Sequence, residues 1–143
     1  MFTRKTLITT LLLSLSASCL TAQTETLDLD DLNGNWHVRT MDGKEVREAR
    51  AILDFDPKHM KLSGFDGCNP ISGELKRSAD TRIFSKLSPT QSECRQSIHQ
   101  YVRTRLLKTV NEGFTVTKAK QNGVDGILIK SASHELFLKW MSS

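Results

Sequence analysis

The chain has 143 residues, 38% of them hydrophobic, which is enough for one domain with a buried core and too short for two. Its formal net charge is +4, and subtracting Arg4 and Lys5, which lie in a predicted export signal, from the 20 basic residues leaves 18 against 16 acidic ones, or +2. So balanced a charge argues against a nucleic-acid partner.

Residues 1–22 have the order of a signal peptide. Arg4 and Lys5 form a basic start, Leu7 to Leu15 form an apolar core, and the small residues Ser16, Ala17 and Ser18 follow. The apolar run is too short to span a bilayer. We therefore predict that the protein is exported.

The chain has three cysteines, an odd number for an exported protein. Pairing of Cys68 with Cys94 leaves Cys19, which is then lipidated, removed with the signal or left as a reactive thiol. Ser16 to Cys19 resembles a bacterial lipobox with serine where leucine is usual, and cleavage after Ala22 is the alternative. We favour lipidation, which predicts an outer-membrane lipoprotein facing the periplasm. Removal of Cys19 would instead give a soluble periplasmic protein.

Residues 23–31 are polar and acidic, and they read as a solvated tether before a domain at 32–143. Asp28, Asp30 and Asp31 suggest calcium, but the glycine and terminal glutamate of an EF-hand loop are missing at the required spacing. We predict a tether without a metal site.

Alternating apolar and polar residues predict a series of short strands. Asp42-Gly43 and Gln121-Asn122-Gly123 have turn chemistry suited to hairpins. The predicted strands are Asn35–Met41, Ala51–Phe55, Met60–Phe65, Gly73–Arg77, Arg82–Leu87, Phe114–Lys118, Gly126–Lys130 and Glu135–Met141.

A glycine-rich corner separates two of these strands, between Leu62 and Leu75. Gly64, Gly67 and Gly73 lie there close to Cys68 and Asn69, so we predict a sharp turn with positive φ at one or more of the glycines. A bond from Cys68 to Cys94 would fasten this corner to the only strongly helical segment.

That helix is predicted from an apolar residue at every fourth position: Cys94, Ile98, Val102, Leu106 and Val110, with Tyr101 beside them. Thr90 and Glu93 fit a capping box at its start, and Gly113 is suited to its end. The opposite side, with Arg95, Arg103, Arg105 and Lys108, is interpreted as a solvated face.

The motif Gly64-Phe65-Asp66-Gly67-Cys68-Asn69, then Ser72-Gly73, then Leu87 to Thr90 and Cys94 before a helix, resembles the META or HslJ-like domain of bacterial envelope proteins. The resemblance extends from Leu32 to Trp140. It implies an α+β domain in which antiparallel strands form a partly open barrel with one amphipathic helix packed against it. It also implies a role in envelope stress or antibiotic tolerance, and it does not imply an enzyme.

The sequence offers no convincing catalytic site. Ser63, Ser72 and Ser85 lack the context of an activated nucleophile, and the four histidines are predicted at the surface. Cys68, Cys94 and His99 lack the close ligand pairs and fourth ligand of a zinc site. We assign no catalytic residue, metal or cofactor.

Two functions of different classes remain. The first is a protein that binds an unknown envelope component, with Tyr101, Arg103 and Arg105 as the interaction face. The second is a carrier or pilot for lipid or an apolar peptide. A continuous cavity between Tyr101, Val102 and the strands would favour the second.

Overall fold

The computed structural model describes residues 25–87, Cys94 and residues 97–141. The predicted signal peptide and the Thr90–Glu93 capping box lie outside these residues. Within them are three short 3-10 helices (Leu29–Leu32, Arg47–Ala49 and Pro57–His59), one α-helix and ten strands. The α-helix and strands are β1 (Gly34–Met41), β2 (Lys44–Glu45), β3 (Ile52–Asp56), β4 (Lys61–Phe65), β5 (Pro70–Glu74), β6 (Lys76–Arg77), β7 (Ile83–Phe84), α1 (Ser97–Glu112), β8 (Phe114–Gln121), β9 (Val124–Ser131) and β10 (Glu135–Trp140). In the described part of the chain, no helix is long and apolar enough to cross a membrane.

The strands form one antiparallel sheet in the order β5-β4-β3-β1-β10-β9-β8-β7-β6, and β2 pairs with β1. Strands β5 and β6 lie at opposite ends of this order, yet only Leu75 separates them in the chain. The sheet therefore curls into a nearly closed barrel with one unsealed seam. At the seam, a Cβ on Gly73 would overlap Ser85 Oγ, so glycine permits the close approach. The α+β barrel with one helix, as predicted, is confirmed.

Helix α1 covers one end of the barrel. Val102, Leu106 and Val110 are fully buried in the core, which confirms the apolar stripe read from the sequence. The helix ends at Glu112, and Gly113 follows with φ of 94° and donates from its N–H to the Thr109 carbonyl at 3.2 Å. Glycine adopts this left-handed conformation without steric cost.

The opposite end is closed by residues 25–32, all but the last of which belong to the predicted tether. Leu27 N–H donates to the Val116 carbonyl at 2.9 Å, and Leu29 and Leu32 are fully buried in a short 3-10 helix. Asp28 caps this turn with its carboxylate. The tether interpretation is therefore wrong for residues 25–31, because leucines among the acidic residues bring the segment into the core.

The predicted strands differ from the observed ones mainly at their ends. The predicted strand Gly73–Arg77 is broken at Leu75, and Arg82–Leu87 shortens to β7. Strand β2 was not predicted, since two exposed residues carry no periodicity. Both predicted hairpin turns are present, with positive φ at Asp42-Gly43 and at Asn122-Gly123.

Candidate functional site

The glycine corner after β4 is held by the carboxylate of Asp66. Its Oδ1 accepts hydrogen bonds from the backbone N–H of Cys68 at 2.8 Å and of Asn69 at 2.7 Å. Gly64 has φ of 148° and Gly67 has φ of 101°. Two charge-assisted hydrogen bonds inside a tight turn fix the direction of the Cys68 side chain.

The corner contacts helix α1 through His99 and Arg103 and is also bonded to Cys94, which precedes the helix in the chain. Cys68 forms a disulfide with Cys94, with the two Cα atoms 5.3 Å apart. His99 donates from Nδ1 to the Gly67 carbonyl at 2.5 Å. Arg103 Nε lies 3.9 Å from Oδ2 of the fully buried Asp66, which is too long for a hydrogen bond but within the range of an ion pair. The corner therefore positions the helix, as expected from the place of Cys68.

A second polar cluster joins the helix to the turn after β1. Oδ2 of Asp42 lies 2.7 Å from His134 Nδ1 and 3.6 Å from Arg105 Nε, and its Oδ1 accepts from the Glu135 N–H at 2.9 Å. Partial burial favours the neutral acid, but these hydrogen bonds and positive charges outweigh it and lower the pKa of Asp42.

Two cationic side chains beside this cluster hold the ring of Tyr101 in place. Arg105 Cζ lies 3.5 Å from the centre of the Tyr101 ring, and Lys44 Nζ lies 4.6 Å from it. Both distances fall within the range of cation–π interactions. The solvated-face interpretation is therefore wrong for Arg105, which contacts an acidic and an aromatic side chain, and for Arg103, which faces the buried carboxylate of Asp66.

A cleft of about 620 Å³ lies at the other end of the barrel, where β1 begins and β10 ends. Trp36 and Trp140 are direct partners across these strands, and they are 8% and 52% exposed. Trp36 Nε1 donates to the Leu32 carbonyl at 2.8 Å, while a Cβ on Gly34 would lie 2.9 Å from Trp140 Nε1. Glycine at position 34 thus leaves room for the Trp140 ring, which stands partly in solvent. We call this site the tryptophan cleft.

The charges that line the tryptophan cleft are mostly negative. Among the described residues, the cleft is lined by the carboxylates of Glu25, Asp31 and Asp125 and by one ammonium group, that of Lys118. Lys118 Nζ lies 3.2 Å from Glu25 Oε2, and Lys120 Nζ lies 3.9 Å from Asp125 Oδ1. Asp31 is thus the carboxylate of the lining that no ion pair balances within the described part of the chain. The cleft therefore combines an exposed aromatic ring with a small excess of negative charge on a chain whose formal charge is positive.

Comparison with known proteins identifies the family of this chain. A model of the META domain matches residues 27–138. The chain belongs to the META domain family. Two proteins solved by NMR share the fold: one is 19% identical, with a TM-score of 0.61 over 80% of this chain and 95% of that one. The other, from Burkholderia xenovorans, is 15% identical, with a TM-score of 0.65 over 86% and 94%. No curated protein matches.

The described residues of this META domain do not assemble a hydrolytic triad. His134 pairs with Asp42, but the nearby hydroxyls of Ser131 and Ser133 bond to the carboxylate of Glu112. Nor does any group of three or more His, Cys, Asp and Glu residues among them have the arrangement of a metal site. The polar clusters of the META domain connect the ends of its strands and helix and thereby stabilise the fold.

The three residues of the predicted interaction face contact two different parts of the domain. Tyr101 and Arg105 face the Asp42 cluster, while Arg103 faces the buried carboxylate of Asp66. All three are half-buried and have partners inside the META domain. Their part in binding another molecule stays a prediction.

Three of the four histidines differ from the surface positions predicted for them. His37, His99 and His134 are half-buried, and His99 and His134 are hydrogen-bonded to neighbouring elements. Sequence reasoning also missed the tryptophan cleft. The alternation in β1 and β10 places Trp36 and Trp140 on the same face as the buried Val38 and Leu138, but their proximity depends on the pairing of the first long strand with the last.

Proposed function

We propose that this META domain protein is a non-enzymatic envelope protein that supports tolerance of envelope stress or antibiotics by binding an envelope component at the tryptophan cleft. The observation that carries the proposal is Trp140, a large aromatic side chain left 52% exposed in a lined cleft. Tryptophan is enriched among residues that dominate binding energy.

The charge of the tryptophan cleft points to a positively charged ligand. A lysine or arginine side chain placed over the face of Trp140 gains a cation–π interaction and lies near the carboxylates of Asp31 and Asp125. A basic segment of an envelope protein is the partner that fits this chemistry. Since exposed charges are screened by salt, such binding weakens at high ionic strength.

The alternative function, a carrier for lipid or an apolar peptide, gains less support. The space between α1 and the strands, where its cavity was expected, is occupied by Val102, Leu106 and Val110, all fully buried. Tyr101 packs against the same core. A single apolar chain would have to displace these side chains to enter.

For localisation we propose export and anchoring through a lipid on Cys19, with a soluble periplasmic form if cleavage follows Ala22. The order of residues 1–22 and the membership of the META family support this proposal. Mass spectrometry of the envelope fraction tests it. A diacylglyceryl group on Cys19 or a chain that starts at Gln23 supports export, and an intact Met1 contradicts it.

The cellular experiment compares rescue of a strain that lacks this gene under envelope stress. We expect wild type and Met141→Ala to restore survival and Trp140→Ala to fail at equal protein levels. Met141 is a matched control because it is the next residue, is 40% exposed and does not line the tryptophan cleft. Full rescue by Trp140→Ala would contradict the proposed site.

A further inference from the structure

A second groove lies on the outer face of the barrel. It has a volume of about 360 Å³ and runs between the turn that joins β1 to β2 and the tip of the β8–β9 hairpin. The residues that matter for its chemistry are Arg39, Thr40, Glu45, Arg47, Gln121 and Phe137. We call it the arginine groove.

The groove exists because the β8–β9 hairpin bends across β10. Thr40 Oγ1 on β1 donates to Gln121 Oε1 on β8 at 3.1 Å, although β10 and β9 lie between these strands in the sheet. A Cβ on Gly126 would overlap the Leu138 carbonyl and lie 2.8 Å from the Phe137 ring, so only glycine permits this bend. Phe137 is thereby 2% exposed on the outer face and forms an apolar floor.

Arg39 enters the groove from a β-bulge. The register of β1 with β10 shifts between Val38 and Thr40, so Arg39 is the extra residue. Bulges redirect side chains and are frequent beside functional sites. Nε of Arg39 is buried and has no hydrogen-bond acceptor among the described residues. A buried guanidinium N–H without an acceptor is costly, so Arg39 would gain from turning toward a ligand that supplies one.

The surroundings of Arg39 are electropositive. Arg47 also lines the groove, and its Nε hydrogen-bonds to Glu45, the one carboxylate that the described residues contribute to the lining. Partial burial, followed by the charges of Arg39 and Arg47, lowers the pKa of the neighbouring His37. A positive field of this kind favours an anionic ligand.

We propose that the arginine groove binds a carboxylate attached to a small apolar group, as in the C-terminal residue of a peptide. The Nε edge of a guanidinium matches the two oxygens of a carboxylate, and the Phe137 ring closes the bottom of the groove where the apolar group would lie. The volume suits a small ligand. This inference goes beyond the proposed function, because the tryptophan cleft has the opposite charge and a different set of lining residues.

The test is an NMR titration of the full mature chain with acetyl-alanyl-alanine, compared with its C-terminal amide. We expect the free acid to shift the backbone amide signals of Gly43 and Asn122, which line the groove, and the amide to leave them in place. Inorganic phosphate is titrated separately. Equal shifts with acid and amide, no shift with either, or tighter binding of phosphate would overturn the proposal.

Two variants assign the effect to the groove. Arg39→Lys keeps the charge but removes the Nε edge, and we expect binding to weaken about tenfold. Arg47→Gln tests the exposed second guanidinium and cannot act through loss of a buried contact, so it remains informative if Arg39→Lys fails to fold. Arg77→Gln is the control, since Arg77 pairs with Asp28 away from the groove. Undiminished binding by both Arg39→Lys and Arg47→Gln would also overturn the proposal.

Discussion

Asp42 Oδ2 and His134 Nδ1 lie 2.7 Å apart and connect the turn after β1 to the residue before β10. Arg105 of α1 reaches the same carboxylate oxygen at 3.6 Å. One side chain thus fixes the two central strands of the barrel and the helix relative to each other. Asp42 therefore has a structural role that could not be inferred from its position in a turn.

The first prediction concerns pH. The pKa of Asp42 is lowered from 3.8 in the folded state, so its ionised form contributes stability above that value and the contribution disappears as pH falls through the folded pKa. We expect Asp42→Asn to be less stable than wild type at pH 7 and the difference to shrink below about pH 4. Urea unfolding at both pH values measures this. Asp125→Asn, at an exposed carboxylate, is the control, and a difference that persisted unchanged at low pH would contradict the account.

The second prediction concerns the glycine corner. Asp66→Ala removes the acceptor of two backbone hydrogen bonds in a fully buried position, and we expect a loss of about 1–3 kcal/mol per unsatisfied N–H group. Asp66→Asn retains an acceptor oxygen and should cost less. Chemical denaturation gives both values, and an equal loss in the two variants would show that charge, through Arg103, matters more than the hydrogen bonds.

The third prediction concerns the disulfide. Cys68 and Cys94 are 26 residues apart, and the chain-entropy model assigns roughly 3.5 kcal/mol to a closed loop of this size. We expect Cys68→Ser with Cys94→Ser to unfold at a lower denaturant concentration by a corresponding amount. Alkylation of unreduced protein provides the direct check. Two free thiols in protein isolated from the periplasmic side would contradict the bond.

The fourth prediction concerns packing under α1. Leu106→Ala should lower stability by about 2–5 kcal/mol and Val110→Ala by somewhat less, because both side chains are fully buried. Thr104→Ala, on the exposed side of α1, is the matched control. Thermal unfolding of the three variants distinguishes them. A Leu106→Ala variant as stable as Thr104→Ala would mean that the helix does not pack as described.

Much of this fold could be predicted from local pattern. The fourfold spacing from Ile98 to Val110 gave the buried face of α1, and Asp42-Gly43 gave the hairpin turn. The packing of residues 25–31 against the core could not be predicted. Acidic residues make this segment polar on average, although Leu29 packs in the core. The burial of a residue depends on the position of its segment in the fold, and amino-acid composition does not contain that information.

The candidate sites were less accessible to sequence reasoning. Trp36 and Trp140 meet only because the strands that carry them pair in the barrel. Arg39 reaches its groove through a bulge, and a bulge leaves no periodic signal in a strand of this length. Both sites depend on long-range register, which a single sequence does not specify.

The central claim, that the tryptophan cleft binds a positively charged ligand, is tested most directly by titrating the protein with acetyl-trilysine amide and following Trp140 indole N–H signals by NMR. We expect saturable shifts that weaken as salt is raised. They should be lost in Asp125→Lys, which reverses one charge of the lining, and kept in Met141→Ala. Equal shifts with acetyl-triglutamate amide, or trilysine binding unchanged in Asp125→Lys, would contradict the claim.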